Sequence, residues 1–266
     1  MIQVDFKTKK NGVPILSKDE IDNIAEAVLR DYKPKLLDNP GALDVEHFLE
    51  YYAALEMDFK DLTHDRSILG MTVFNNCYIP VYDQENDQKK EIPVDEGTIL
   101  IDNSLLEDSR LIRRGRFTLG HEVAHWLLHR QIYAVNRNQI SLFDDLKEEK
   151  QPVIKCRTTD IECTGKKRLV TDDDWMEWQA DNMASALLMP KKVFAKLVES
   201  EFKSAGINDG YYQIGTDFEK DLRADVLSYK LADIFCVSVT AVKIRLKNLS
   251  FIRDHQDRYY SFEFSF

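Results

Sequence analysis

One stretch constrains this chain more than any other: RRGRFTLGHEVAHWLLHR, residues 113–130. Phe117, Leu119, Val123, Ala124, Leu127 and Leu128 predict a helix that packs into a core. His121, Glu122 and His125 are set into that apolar helix. Burying two imidazoles and a carboxylate is costly unless each finds a partner. Positions i and i+4 share one helix face, so His121 and His125 can converge on a single ion. Glu122 is rotated by about 100° from His121 and borders that site without being a ligand. There it can take a proton from a water polarised by the ion and hand it to a leaving amine. The pattern therefore predicts a divalent metal centre, with zinc the expected ion and manganese the alternative. Glu122 is the expected catalytic acid–base.

A catalytic zinc takes three protein ligands and keeps one position open. The third ligand is expected from EWQAD, residues 177–181. Glu177 and Asp181 are four apart and share a face of a second helix, whose apolar side carries Met176, Ala180, Met183, Ala184, Leu187 and Leu188. Glu177 is the expected ligand. Asp181 is expected behind a ligand histidine, accepting its free ring N–H. Asp172, Asp173 and Asp174 look like a metal cluster but suit the N-terminus of this helix, by capping and by the dipole. His129 sits about 12 Å along the axis from His121, too far to ligate the same ion, and reads as structural. His47, His64 and His255 have no evident partners.

The rest of the chain alternates helical and strand texture. Ser17 and Glu20 form a capping-box pattern, and Leu16 with Ile21 a hydrophobic staple, so a helix starts there and ends near Pro34. A second amphipathic helix is expected over 44–55. Residues 68–74, 78–82 and 98–101 are rich in β-branched and aromatic side chains, with polar turns at 75–76 and 83–90. They predict a small, mainly antiparallel sheet. Residues 136–170 read as a long charged loop, with a hairpin between 153–157 and 167–171. Further helices are expected at 171–189, 190–202, 222–235 and 239–249, and an edge strand in the alternating tail, 260–266. The expectation is one α+β domain over 1–266. It divides into an N-terminal helical part (1–67), a catalytic core (68–204) and C-terminal helices with the tail (205–266).

The net charge of −10 argues against non-specific nucleic-acid binding, which depends on neutralising phosphates. No apolar run approaches the ~20 residues of a membrane span. The first residues lack the basic-then-apolar plan of a signal peptide, so a cytoplasmic protein is expected. Cys77, Cys156, Cys163 and Cys236 match no zinc spacing and read as free thiols, with Cys156 and Cys163 able to oppose one another in a hairpin.

Two segments together point to one family. RFTLGHEVAHWLLH (116–129) resembles the active-site helix of the ImmA/IrrE metallopeptidases. EWQADNMASALLMP (177–190) resembles that family's second signature, a glutamate followed by an alanine-rich run ending in Leu-Leu-Met-Pro. The resemblance implies a zincin-like core and an intracellular metal-dependent endopeptidase. It places the metal ligands on His121, His125 and Glu177 and the acid–base on Glu122. It implies a protein substrate, a helix-turn-helix repressor. The chain departs from the family at Asp181, where asparagine is common; either side chain can accept an imidazole N–H.

A rival reading comes from residues 231–246, LADIFCVSVTAVKIRL, which look like a helix-turn-helix with Ser238 capping the second helix. Lys243, Arg245, Lys247 and Arg253 make the region locally basic, and a DNA reader would lay that helix in the major groove. The alternative is thus a DNA-binding regulator with a structural or sensory metal. Asp254 and Asp257 offset the basic residues, and Val239, Val242, Leu246 and Leu249 are expected to pack inward. The resemblance implies that this segment belongs to the family's scaffold, as a docking surface for the substrate.

Overall fold

The computed structural model describes residues 5–107, 111–133, 153–157, 169–215 and 217–254. The expected tail strand, His255, Cys163, one arm of the expected hairpin (167–168) and most of the 136–170 loop lie outside them.

Helix α1 (Lys18–Tyr32) starts where its local chemistry dictates: Glu20 N bonds Ser17 Oγ, and the Glu20 carboxylate bonds back to Ser17 N. Pro34 then opens a short 3-10 turn. The helix expected at 44–55 is shorter. Asp44 caps α2 (Val45–His47), which widens into a π turn over Phe48–Tyr52.

The strands are β1 (Glu56–Lys60), β2 (Ile68–Val73), β3 (Cys77–Asp83), β4 (Gln88–Val94), β5 (Thr98–Asp102) and β6 (Val153–Arg157). Their pairing is mainly antiparallel, as expected, but they form two sheets rather than one. Four make a mixed sheet in the order β1-β5-β2-β6, with β1 parallel to β5 and the other pairs antiparallel. β3 and β4 form a separate hairpin. Of the polar stretch expected as a turn (83–90), residues 84–87 form the turn, whereas 88–90 belong to β4, with their side chains in solvent.

The central strand β2 sets the geometry near the site. Its pairing with β6 shifts register between Ile68 and Gly70. Leu69 joins the larger apolar cluster, whereas Met71 and Val73 join a smaller one with Leu100 and the hairpin residues Ile79, Val81 and Val94. Gly70 and Thr72 alternate with Met71 and Val73, and so face the other side of the sheet, toward the helices.

Helix α3 (Ile112–Tyr133) packs on that side, and α4 (Asp172–Leu188) lies against it. Thr171 and Asp174 form a capping box at the start of α4, so the aspartates there serve the helix end. After Pro190 come α5 (Lys191–Ser204), the short strand β7 (Tyr212–Ile214), α6 (Phe218–Phe235), α7 (Val239–Asn248) and β8 (Ile252–Asp254), which pairs parallel with β7. Cys236 ends α6 in the left-handed region at φ 52°, and Ser238 caps α7. Arg116 ties this turn to α3, reaching Cys236 O at 3.0 Å, while Arg113 pairs with Asp233 at 2.6 Å. One apolar cluster runs from Leu16 through Leu119, Leu187 and Phe235 to Ile252. Among the described residues no helix is long and apolar enough to cross a membrane.

Candidate metal centre

On α3, His121, Glu122, His125 and His129 are all 0% exposed. The i, i+4, i+8 spacing stacks the three imidazoles along one face. Their ring centroids lie 4.6 Å apart (His121 to His125) and 5.1 Å apart (His125 to His129). Helix α4 brings Glu177 to the first two. His121 Nε2 and His125 Nε2 lie 3.0 Å apart. Glu177 Oε2 is 3.3 Å from His121 Nε2, and Glu177 Oε1 is 3.5 Å from His125 Nε2. Among the described residues these three form a group whose donor atoms all lie within 4.8 Å of one another.

The separations suit a cation. Tetrahedral bonds of about 2.0–2.1 Å to nitrogen and oxygen put neighbouring donors about 3.3 Å apart. The two imidazole nitrogens lie 3.0 Å apart, and each has one Glu177 oxygen close to that value, at 3.3 and 3.5 Å. Glu177 Oε2 is buried and makes no hydrogen bond among the described residues, as a carboxylate oxygen kept for an ion would. Two imidazoles and a carboxylate are also the donor set of known hydrolytic zinc sites.

The local electrostatics point the same way. Burial pushes the His125 imidazole down, favouring the neutral ring a metal needs, although Glu177 opposes the shift. Burial alone would raise the Glu177 carboxyl, yet His125 and His121 beside it hold it far below the usual range, so it stays ionised. His129 is pushed down to about 3, chiefly by burial and then by the neighbouring His125.

The surrounding residues fix the donors. His121 Nδ1 lies 2.9 Å from Asp181 Oδ1, and His125 Nδ1 lies 3.0 Å from His129 Nδ1. Asp181 is thus placed behind a histidine. His129, read from the sequence as structural and too distant to join the same ion, lies outside the trio and backs His125; the sequence did not show that contact.

Glu122 lies outside the converging trio and reaches toward β2. Thr72 Oγ1 is 2.5 Å from Glu122 Oε2 and 3.0 Å from Glu122 O, so the one hydroxyl hydrogen serves the shorter contact with the carboxylate. Gly70 is required beside it. A Cβ there would meet Glu122 Oε1 at 2.6 Å and Thr118 Cγ2 at 2.8 Å. Neither Thr72 nor Gly70 was evident from the sequence, because the contact spans 50 positions.

No family model matches the chain, and no curated relative matches it. His47 lies elsewhere, with Nδ1 2.7 Å from Tyr32 Oη, and His64 packs edge-on to Tyr82. Cys77 and Cys236 are free thiols.

Proposed function

We propose that this chain is a metal-dependent endopeptidase of the ImmA/IrrE type, with a zincin-like core built from α3, α4 and the mixed sheet. The observation that carries the reading is the convergence of His121, His125 and Glu177 from two helices at metal-ligand spacing, with a buried Glu122 adjacent in sequence. His121, His125 and Glu177 would hold zinc, or manganese in its place. When bound, such an ion supplies Lewis acidity, polarising a substrate carbonyl and acidifying water.

The chain's own residues do the rest. Glu122 accepts a proton from water and returns it to the amine leaving from the scissile bond. Thr72, bonded to Glu122 Oε2, holds the carboxyl group in place. Asp181 orients His121. The two motifs in α3 and α4 support a protein substrate of the class that the resemblance implies, a helix-turn-helix repressor.

The rival DNA-reader reading loses support at its basic residues. Lys243 pairs with Asp225 at 2.7 Å and Lys247 with Asp254 at 2.9 Å. Arg245 is buried against Asp22, and Arg253 lies 4.0 Å over the Tyr211 ring. We read α6 and α7 as a helix-turn-helix-like pair used as scaffold. The direct test compares new protein N-termini in cells expressing the wild type or Glu122→Gln. Cleavage in a repressor-class protein, present with the wild type and absent with the variant, is expected. Identical N-terminal profiles would contradict the proposal.

A further inference from the structure

A buried chain of polar groups runs from the candidate metal site to the N-terminal segment. His125 Nδ1 faces His129 Nδ1 at 3.0 Å, and His129 Nε2 faces Gln179 Oε1 at 3.0 Å. Gln179 Nε2 then donates to Pro14 O at 2.8 Å. His125 and His129 are 0% exposed and Gln179 1%, so water does not compete for these contacts.

The donors and acceptors can be assigned from the far end. A backbone carbonyl only accepts, so the amide nitrogen of Gln179 must face Pro14, and its oxygen must face His129. That oxygen also only accepts, so His129 carries its hydrogen on Nε2. Both groups facing the His129 ring nitrogens are uncharged, and a cationic ring would lack a counter-ion at either one. The neutral ring has a single N–H, which leaves Nδ1 as an acceptor. His125 must then donate from Nδ1. A neutral His125 of that form presents a bare lone pair at Nε2, the atom that lies 3.0 Å from His121 Nε2.

We infer that His129 and Gln179 are positioning residues which, anchored on the Pro14 carbonyl, hold His125 in the Nδ1–H form and so reserve its Nε2 for the metal. The reservation for a metal rests on the function proposed above; the position of the proton does not. The two ligand histidines are thus set by different devices. A partly exposed carboxylate, Asp181, serves His121, and a dry, neutral relay serves His125. The relay also ties the segment around Pro14 to the site. That segment is held by the fully buried Val13 and by a bridge between Thr8 and Pro14.

Long-range proton–nitrogen NMR of the nitrogen-15-labelled, metal-free full chain reads the tautomers directly. His129 is expected with its hydrogen on Nε2 and a bare Nδ1, and His125 with its hydrogen on Nδ1. Gln179→Met, apolar and of similar length, is expected to lose this single pattern and to bind zinc about 10–100-fold more weakly. His121 should keep its hydrogen on Nδ1 in that variant. A wild-type His129 with its hydrogen on Nδ1 overturns the relay, as does a Gln179→Met protein with unchanged tautomers and zinc affinity. The wild-type spectrum decides the matter even if the variant does not fold. Wild-type protein with these tautomers but no zinc binding would uphold the relay and remove the metallopeptidase reading. Zinc binding with other tautomers removes the relay alone.

Discussion

His121 Nδ1 and Asp181 Oδ1 lie 2.9 Å apart, joining two helices across 60 positions of sequence. The contact gives the ligand histidine a fixed orientation and leaves Nε2 turned toward His125 and Glu177. Asp181→Ala is expected to weaken zinc binding by about 10–100-fold, the usual effect of removing such a partner. Asp181→Asn retains an acceptor and should stay close to the wild type. Zinc titration of both variants against a competing chelator checks this, and equal loss in the two would show that acceptance by residue 181 is not what matters.

Gly70 and Gly120 make opposite predictions. A Cβ at Gly70 would sit 2.6 Å from Glu122 Oε1, so Gly70→Ala must move the carboxylate or the strand. Peptidase activity should fall by at least about 10²-fold, the scale of general acid–base catalysis, with zinc still bound. At Gly120 a Cβ would meet Leu188 Cδ1 at 3.6 Å and Ala184 Cβ at 3.7 Å, ordinary contact distances. Gly120→Ala should therefore fold and raise stability by roughly 0.5–1 kcal/mol, as glycine in a helix interior costs about that much. Paired activity and denaturation measurements test both.

Arg245 is a core residue rather than a contact for nucleic acid. It is 3% exposed, 2.6 Å from Asp22 Oδ1, and its Nε and Nη2 lie 3.2 and 3.0 Å from Met189 O. Removing one member of a buried pair strands the other, so Arg245→Ala should cost about 3–5 kcal/mol in urea unfolding. A loss below about 1 kcal/mol, the scale of a surface ion pair, would contradict this placement.

Acid should destabilise the metal-free protein through His129. Its pKa is lowered in the fold to about 3, while the unfolded ring titrates at its ordinary 6.5. Between those values the unfolded chain binds the proton and the folded chain does not, so stability is present above about 6.5 and is lost as pH falls toward 3. Glu177, also held low in the fold, acts in the same direction at still lower pH. Chemical denaturation at pH 7.5 and at about pH 5 should show the loss, and His129→Phe should flatten the slope across that range. An equal slope in the variant would remove His129 as its source.

What could be read from the sequence was local. Ser17 with Glu20, Thr171 with Asp174, and Ser238 each act within four residues, and each marks its helix start correctly. The His121–His125 spacing is local too, and so is Glu177–Asp181. What escaped depends on distant pairing. β1 drew no reading from the sequence; Glu56–Lys60 aligns parallel with Thr98–Asp102, about 40 positions away. Residues 88–90 read as part of a turn until they pair with Asp83, Tyr82 and Val81 across the hairpin. Gly70, Thr72 and Gln179 gain meaning only once a strand and a second helix are brought against α3. The sequence already set Asp254 against the basic residues of α7, but their other acidic partners, Asp22 and Asp225, lie on distant segments and were not evident.

If His121, His125 and Glu177 hold one divalent ion, the metal content of purified protein must follow Glu177. Mass spectrometry of the wild type and of Glu177→Ala after identical reconstitution is expected to find about one zinc or manganese per wild-type chain, lost or strongly depleted in the variant. Wild-type protein that retains no metal after reconstitution, or a variant that holds it as well as the wild type, would contradict it.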